Sequence, residues 1–230
     1  MMRNIAKVSS TAMDVHLIVD NPDGYISAFA EAGASIITPH LETLTHPIRT
    51  LKLIRSLGKK AGIAINPATD IAPLAYMMDY VDLVCIMTVD PGFAGQQMIP
   101  SAIDKIARVR SLFNQAGRKV DIMVDGHVEM EMAPKMVAAG ASALVMGSSG
   151  LFNHEPKDYR KTIDFFKNLQ AILRTREPGT VGSQKRLGTS RRLHSTFAFG
   201  PKAIVLHASF GGNAFAGKMH CARRLLRISF

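Results

Sequence analysis

The chain has 230 residues, 47% of them hydrophobic, and a formal net charge of +10. That length supports one substantial core or a core plus an appendage, and no segment reaches the ~18 consecutive apolar residues of a membrane span. Eleven of the 28 Lys and Arg residues but one of the 18 Asp and Glu lie after Leu173, so the body is neutral, the basicity belongs to the tail, and charge gives no reason to read the body as nucleic-acid binding.

The opening MMRNIAKVSSTAMD lacks the continuous apolar centre of a signal peptide, which predicts a cytoplasmic location. Met13 to Val19 reads as a buried strand, followed by a helix from Asn21 to Ala32 with Asn21 as N-cap, Pro22 at its first position and Gly33 after its end. Ser35 to Thr38 is a second strand. The helix His46 to Leu57 places Ile48, Leu51, Ile54 and Leu57 on one face. Ala61 to Ile65 is a third strand, Ile71 to Met78 is helical, and Val81 to Met87 is a fourth strand that runs into the Gly-rich loop TVDPGFAGQ. A helix from Ser101 to Gln115, a strand from Lys119 to Val124 and a helix from Glu129 to Ala139 follow. The strand Ala143 to Met146 then opens into Gly147, Ser148, Ser149 and Gly150, and a helix runs from about Lys157 to Leu173. Cys85, inside an apolar strand, and Cys221, in the tail, read as free thiols rather than a disulfide framework.

Six apolar strands, each followed by a helix or helical turn, imply a parallel sheet covered by helices. Such arrays place ligands at the C-terminal ends of their strands. The polar residues gather at those ends: His16 within the first strand, Pro39 and His40 after the second, Asn66 after the third, Met87 to Asp90 after the fourth, Asp125 to His127 after the fifth, Gly147 and Ser148 after the sixth. The Gly147 to Gly150 stretch reads as a phosphate cradle, where backbone N–H groups converge without obstructing side chains and a following helix N-terminus adds positive charge. An ordinary strand-to-helix turn is the competing reading.

MDVHLIVDNPDGYI, AGASIITPHLET, GIAINPATDI, IMTVDPGFAGQQMIP, VDGH and VMGSSGLFNH, in this order and spacing, resemble the ribulose-phosphate 3-epimerase family of (β/α)8 barrels. The match covers roughly Ala12 to Leu169. DPGFAGQ and GSSGLFNH look closer to its allulose-6-phosphate 3-epimerase branch, with a ribulose-5-phosphate 3-epimerase as the alternative. The fold class implied is a TIM-type α/β barrel, incomplete at the N-terminus with about six βα units. Residues 1–12 form an atypical N-terminal segment, 13–173 the ribulose-phosphate-binding barrel domain and 174–230 a basic tail of low order.

Inverting the carbon beside a ketone requires removing a proton from one face and returning one to the other, so two acid/base groups must flank the substrate. By the resemblance, Asp125 is the catalytic acid and a metal ligand, and His16 is a metal ligand. The metal is a divalent Zn, Mn, Fe or Co ion that supplies positive charge to the enediolate. Gly126, Gly147 and Ser148 would bind phosphate. Met87 would line the pocket, and Pro91, Gly92, Phe93, Ala94 and Gly95 would form a lid. His40 and His127 read as structural or supporting residues, and Asp90 as a loop residue or a substrate contact.

The family also carries a strand ending in a Pro-Ser-Leu type motif and a second with a His-x-Asp-x-Met-Asp-Gly type motif. Neither precedes His16. The second motif holds two metal ligands and the opposing base, so its absence predicts weak metal retention, impaired two-face transfer and two open sheet edges. In the tail, Ala203 to Ala208 and Ala222 to Ser229 could form local elements. The rest has no hydrophobic period, and aromatic residues are not interleaved with its basic clusters as a stacking platform for nucleic acid requires. Two functions remain open: a sugar-phosphate epimerase, expected to be a homo-oligomer by resemblance and without membrane contact, and a noncatalytic remnant that keeps phosphate-ligand or subunit binding.

Overall fold

The computed structural model describes residues 2–8, 11–93, 95–147, 149–152, 155–174, 203–209 and 224–229. A short helix, α1 (Met2–Val8), precedes six strand-to-helix repeats. The strands are β1 (Ala12–Ile18), β2 (Ile36–Pro39), β3 (Lys60–Ile65), β4 (Leu83–Met87), β5 (Asp121–Asp125) and β6 (Ala143–Met146). The helices between and after them are α2 (Asp23–Glu31), α3 (Pro47–Ser56), α4 (Ala102–Gln115), α5 (Ala133–Ala138) and α6 (Tyr159–Arg174). A 3-10 turn, Ala72–Tyr76, takes the place of a helix between β3 and β4.

Each of β1 to β5 pairs in parallel with the next, as strands buried on both faces require. Two strands from the tail, β7 (Ala203–Ser209) and β8 (Arg224–Ser229), complete a closed barrel in the order β1-β2-β3-β4-β5-β6-β8-β7. β7 runs parallel to β1, and β8 runs antiparallel to both β6 and β7. The edges of β1 and β6, which six units alone would leave open, are therefore paired. The two tail segments read as local elements are these strands, and the expectation of low order for the remainder of 174–230 falls outside the described residues.

The alternation of each strand divides the core into two layers. Val84 and Ile86 of β4 pack outward with Leu51, Ile54, Ile106 and Phe113 of the helices, whereas Leu83, Cys85 and Met87 join Ala64, Met123, Ala143 and Val145 in a separate inner cluster. Burying Leu51 or Ile54, both fully buried, contributes roughly 1.5–3 kcal/mol apiece and fixes α3 against the sheet. Leu57, read as part of that face, is 37% exposed because the helix has already ended at Ser56. Asn21 is not an N-cap: it takes a left-handed turn at φ 52, and α2 starts two residues later behind Pro22.

Candidate functional site

On β1, Asp14 and His16 alternate with the outward-facing Met13, Val15 and Leu17, and both polar side chains are fully buried. His16, Cys85 of β4 and Asp125, the last residue of β5, bring ligand atoms within 4.8 Å of one another. β1 lies three positions from β4 around the sheet, so these atoms meet only by crossing the barrel interior. His16 Nδ1 is 3.4 Å from Asp125 Oδ2. Imidazole nitrogen, thiolate and carboxylate oxygen are a donor set that fits a divalent cation.

A second layer supports His16. Its Nε2 lies 2.7 Å from Nε2 of His40, which follows β2 and is 2% exposed. The two rings are parallel within 8° and their centroids are 4.8 Å apart, the separation of rings meeting edge to edge rather than face to face. His40 Nδ1 in turn is 3.3 Å from Glu42 Oε2. Glu42 Oε1 accepts from the backbone N–H of Asn66 at 2.7 Å and from the Thr69 hydroxyl. Burial alone would raise the Glu42 carboxyl, but the bonds from His40, Asn66 and Thr69 outweigh it and hold it at about 2. The loop after β3 is gripped from its other side by Lys105 of α4, whose Nζ donates to the carbonyls of Asn66 (2.7 Å), Pro67 (3.1 Å) and Thr69. Burial pushes the Lys105 ammonium below its usual range. Asn66 Oδ1 is buried and has no hydrogen-bond partner among the described residues.

Beneath His16, Thr38 donates to Asp14 Oδ1 at 3.1 Å, both side chains being fully buried. At the end of β5, Thr88 clamps the chain: its N–H donates to Asp125 O at 2.9 Å and its hydroxyl donates to Gly126 O. Gly126 has φ +113, and a Cβ there would meet Thr88 Oγ1 at 2.7 Å, so this turn requires glycine.

The structure thus brings together His16, Asp125, Met87 and Gly126, with Met87 in the inner apolar cluster. Gly147 follows β6, but no helix starts there. The N–H groups of Leu151 and Phe152 both donate to Gly147 O at 3.0 Å in a turn, and among the described residues the next helical ones begin at Pro156, so no described helix N-terminus stands beside Gly147. Ser148 and Ala94 lie outside the described residues. Of the lid residues, Gly92 and Gly95 have positive φ, and Phe93 is 73% exposed rather than lying over the pocket. The loop closes on itself instead, because Gln96 Nε2 donates to Asp90 O at 2.6 Å and Phe93 O at 3.1 Å. His127 has φ 44 and turns to Glu129 at 3.4 Å. Cys85, Glu42 and Lys105 were not singled out for the site from the sequence. The inward alternation of Leu83, Cys85 and Met87 was the available signal for the first, whereas the other two act through loop carbonyls and amides that no spacing rule reveals.

Solved structures support the barrel. A mutant tryptophan synthase alpha-subunit from Pyrococcus furiosus superposes with a TM-score of 0.52 at 19% identity, over 75% of this chain and 70% of that one. Among curated proteins, the ribulose-phosphate 3-epimerase of Bacillus subtilis is 44% identical over 146 residues, covering 63% of this chain and 67% of its own length. That of Escherichia coli K12 is 44% identical over 152 residues, covering 66% of each. The chain therefore spans about two thirds of the length of these relatives. Among the described residues no helix is long and apolar enough to cross a membrane. The motifs that meet at the barrel mouth fall within residues 1–152, which match the model of the Ribulose-phosphate 3 epimerase family, and the chain belongs to that family of isomerases.

Proposed function

We propose that the pocket binds a ketulose phosphate and that Asp125 exchanges the proton at C3 with solvent, the half of a 3-epimerisation that one carboxylate at the barrel mouth performs. The observation that carries this reading is the convergence of His16, Cys85 and Asp125 inside the barrel, with Asp125 at the C-terminal end of its strand, the end at which barrels of this kind hold substrate. Ribulose 5-phosphate is the preferred substrate, supported by relatives named ribulose-phosphate 3-epimerase at 43–45% identity. The loop wording DPGFAGQ favours allulose 6-phosphate as the second substrate to test.

Asp125 is 7% exposed, so its carboxylate sits largely out of bulk water yet keeps the solvent contact that exchange of the C3 proton requires. His16, Cys85 and Asp125 would hold the divalent cation on which the family depends, and the thiol favours zinc or cobalt over manganese. When bound, such a cation supplies positive charge that offsets the negative charge the sugar oxygens gain as the C3 proton leaves. Asn66 Oδ1, buried and unpartnered, suits a donating hydroxyl of the substrate. The phosphate is assigned to the ends of β5 and β6, at Gly126 and Gly147 with Ser148, where glycines leave backbone groups approachable. Removal and return on opposite faces needs two groups. The other buried carboxylate, Asp14, lies two residues back along β1 and is bonded to Thr38, one layer below the mouth.

The test is deuterium incorporation at C3 of ribulose 5-phosphate and allulose 6-phosphate by the zinc- or cobalt-supplied chain, followed together with inversion. Exchange faster than inversion and abolished by Asp125→Asn is the expected result. No exchange from a folded, metal-bound chain would overturn the reading and leave a phosphate-binding relative without catalysis.

A further inference from the structure

The rings of His40 and His16 sit in series between a carboxylate at the barrel rim and the ligand cluster inside it, and the order of donors along that series is determined. Glu42 can only accept, because its carboxyl is ionised in any ordinary buffer and both its oxygens already receive bonds. As a neutral imidazole, His40 must therefore carry its proton on Nδ1, which leaves Nε2 as the acceptor. The 2.7 Å contact between the two Nε2 atoms then needs its proton from His16. With Nε2–H committed to His40, His16 turns Nδ1 to Asp125 Oδ2, its neighbour in the cluster that also holds Cys85. We propose that Glu42 is a positioning residue that, acting through His40, sets the tautomer of His16 so that Nδ1 serves as the ligand atom of the cluster. The inference rests on the metal-binding reading of the pocket, and it names a carboxylate two residues removed from His40 as what orients the ligand.

The same bonds say how to break the arrangement without changing shape. In Glu42→Gln, the Asn66 N–H and the Thr69 hydroxyl still need the acceptor at the Oε1 position, so the amide NH2 falls opposite His40. His40 Nδ1 must then accept and its Nε2 must donate, and His16 Nε2 becomes the acceptor in its place. His16 is left with its proton on Nδ1, the atom that faces Asp125. Every hydrogen bond survives, but the ligand atom is now occupied by a proton.

Two measurements on the full chain test this. Long-range proton–nitrogen NMR of the metal-free chain should find the proton on His40 Nδ1 and on His16 Nε2, and both positions exchanged in Glu42→Gln. Titration with cobalt, read by its visible absorption and its thiolate charge-transfer band, should show affinity falling about 10–100-fold in Glu42→Gln and recovering in Glu42→Asp. An unprotonated Nε2 on His16 in the unsubstituted chain overturns the proposal outright and requires no variant to fold. So does a folded Glu42→Gln chain with unchanged tautomers and unchanged cobalt affinity. Expected tautomers in a chain that binds cobalt but shows no C3 exchange would count against the catalytic reading and leave the positioning role standing.

Discussion

Gly62 on β3 tests whether the inner layer is as tightly fitted as the geometry requires. A Cβ at this position would stand 2.2 Å from Thr38 Oγ1 and 2.9 Å from both Thr38 Cβ and Cγ2. Thr38 has no room to retreat: it is fully buried, its β-branched side chain is stiff, and its hydroxyl is held by the Asp14 carboxylate. Over-packing of this kind costs about 1–3 kcal/mol, and pulling the hydroxyl from a buried carboxylate adds roughly 1.5–3 kcal/mol. Against these stands a gain of about 0.4–1 kcal/mol from restricting the unfolded chain. Gly62→Ala should therefore lose about 3 kcal/mol, read as a lowered midpoint of urea unfolding at unchanged slope. Thr38→Ala removes two of the three contacts. The double variant should accordingly be little less stable than Thr38→Ala alone, a coupling of about 2–3 kcal/mol. A Gly62→Ala chain within about 0.5 kcal/mol of the parent, or strictly additive effects, would show that β2 and β3 are not held at this spacing.

Acid should weaken the rim through Glu42. Its carboxyl is held at about 2 against an ordinary 4.5, so the stabilisation is complete above pH 4.5 and is lost as pH falls toward 2. Allowing for a side chain 27% exposed, about 1–2 kcal/mol disappears across that window, and Glu42→Gln should flatten the curve there; a parallel acid profile for the variant would contradict the assignment. Lys105→Met keeps the buried stem but deprives three carbonyls of their donor. A loss of about 2–3 kcal/mol in urea unfolding is expected, and a change under about 0.5 kcal/mol would show that the loop after β3 is held by other contacts.

The six parallel strands were legible because each is a short, mostly apolar segment bounded by turn residues; β6 begins at Ala143 and ends at Met146 as the sequence indicates. Caps were less legible. Asn21 before Pro22 looks like a helix start, yet a left-handed Asn satisfies the same local chemistry in a turn. Motif context singled out His16 and Asp125, which the structure brings together; Cys85 was signalled only by its inward alternation with Leu83 and Met87, and its approach to the other two depends on barrel closure. The apolar patch Ala203 to Ala208 was visible as well. Its partner was not, because pairing with β1 in parallel register, Ala203 beside Ala12, is a choice made between segments 191 residues apart in sequence.

Stability and site geometry are joined at Asn66. Lys105, reaching in from α4, holds the Asn66 carbonyl, while Glu42 holds the N–H of the same residue. The same Glu42 faces His40, His40 meets His16, and His16 faces Asp125. A polar path therefore runs from an outer helix to the inner ligand cluster, and each link has one charged or buried member. Such a path transmits displacement because a buried polar group that loses its partner bears a desolvation cost. Loosening Lys105 frees the loop that fixes Glu42, and Glu42 is what dictates which nitrogen of His16 carries the proton. The rigidity that these contacts give the barrel rim and the orientation they give the His16 imidazole are consequently one property, and a substitution on α4 far from the pocket should be felt there as altered metal affinity.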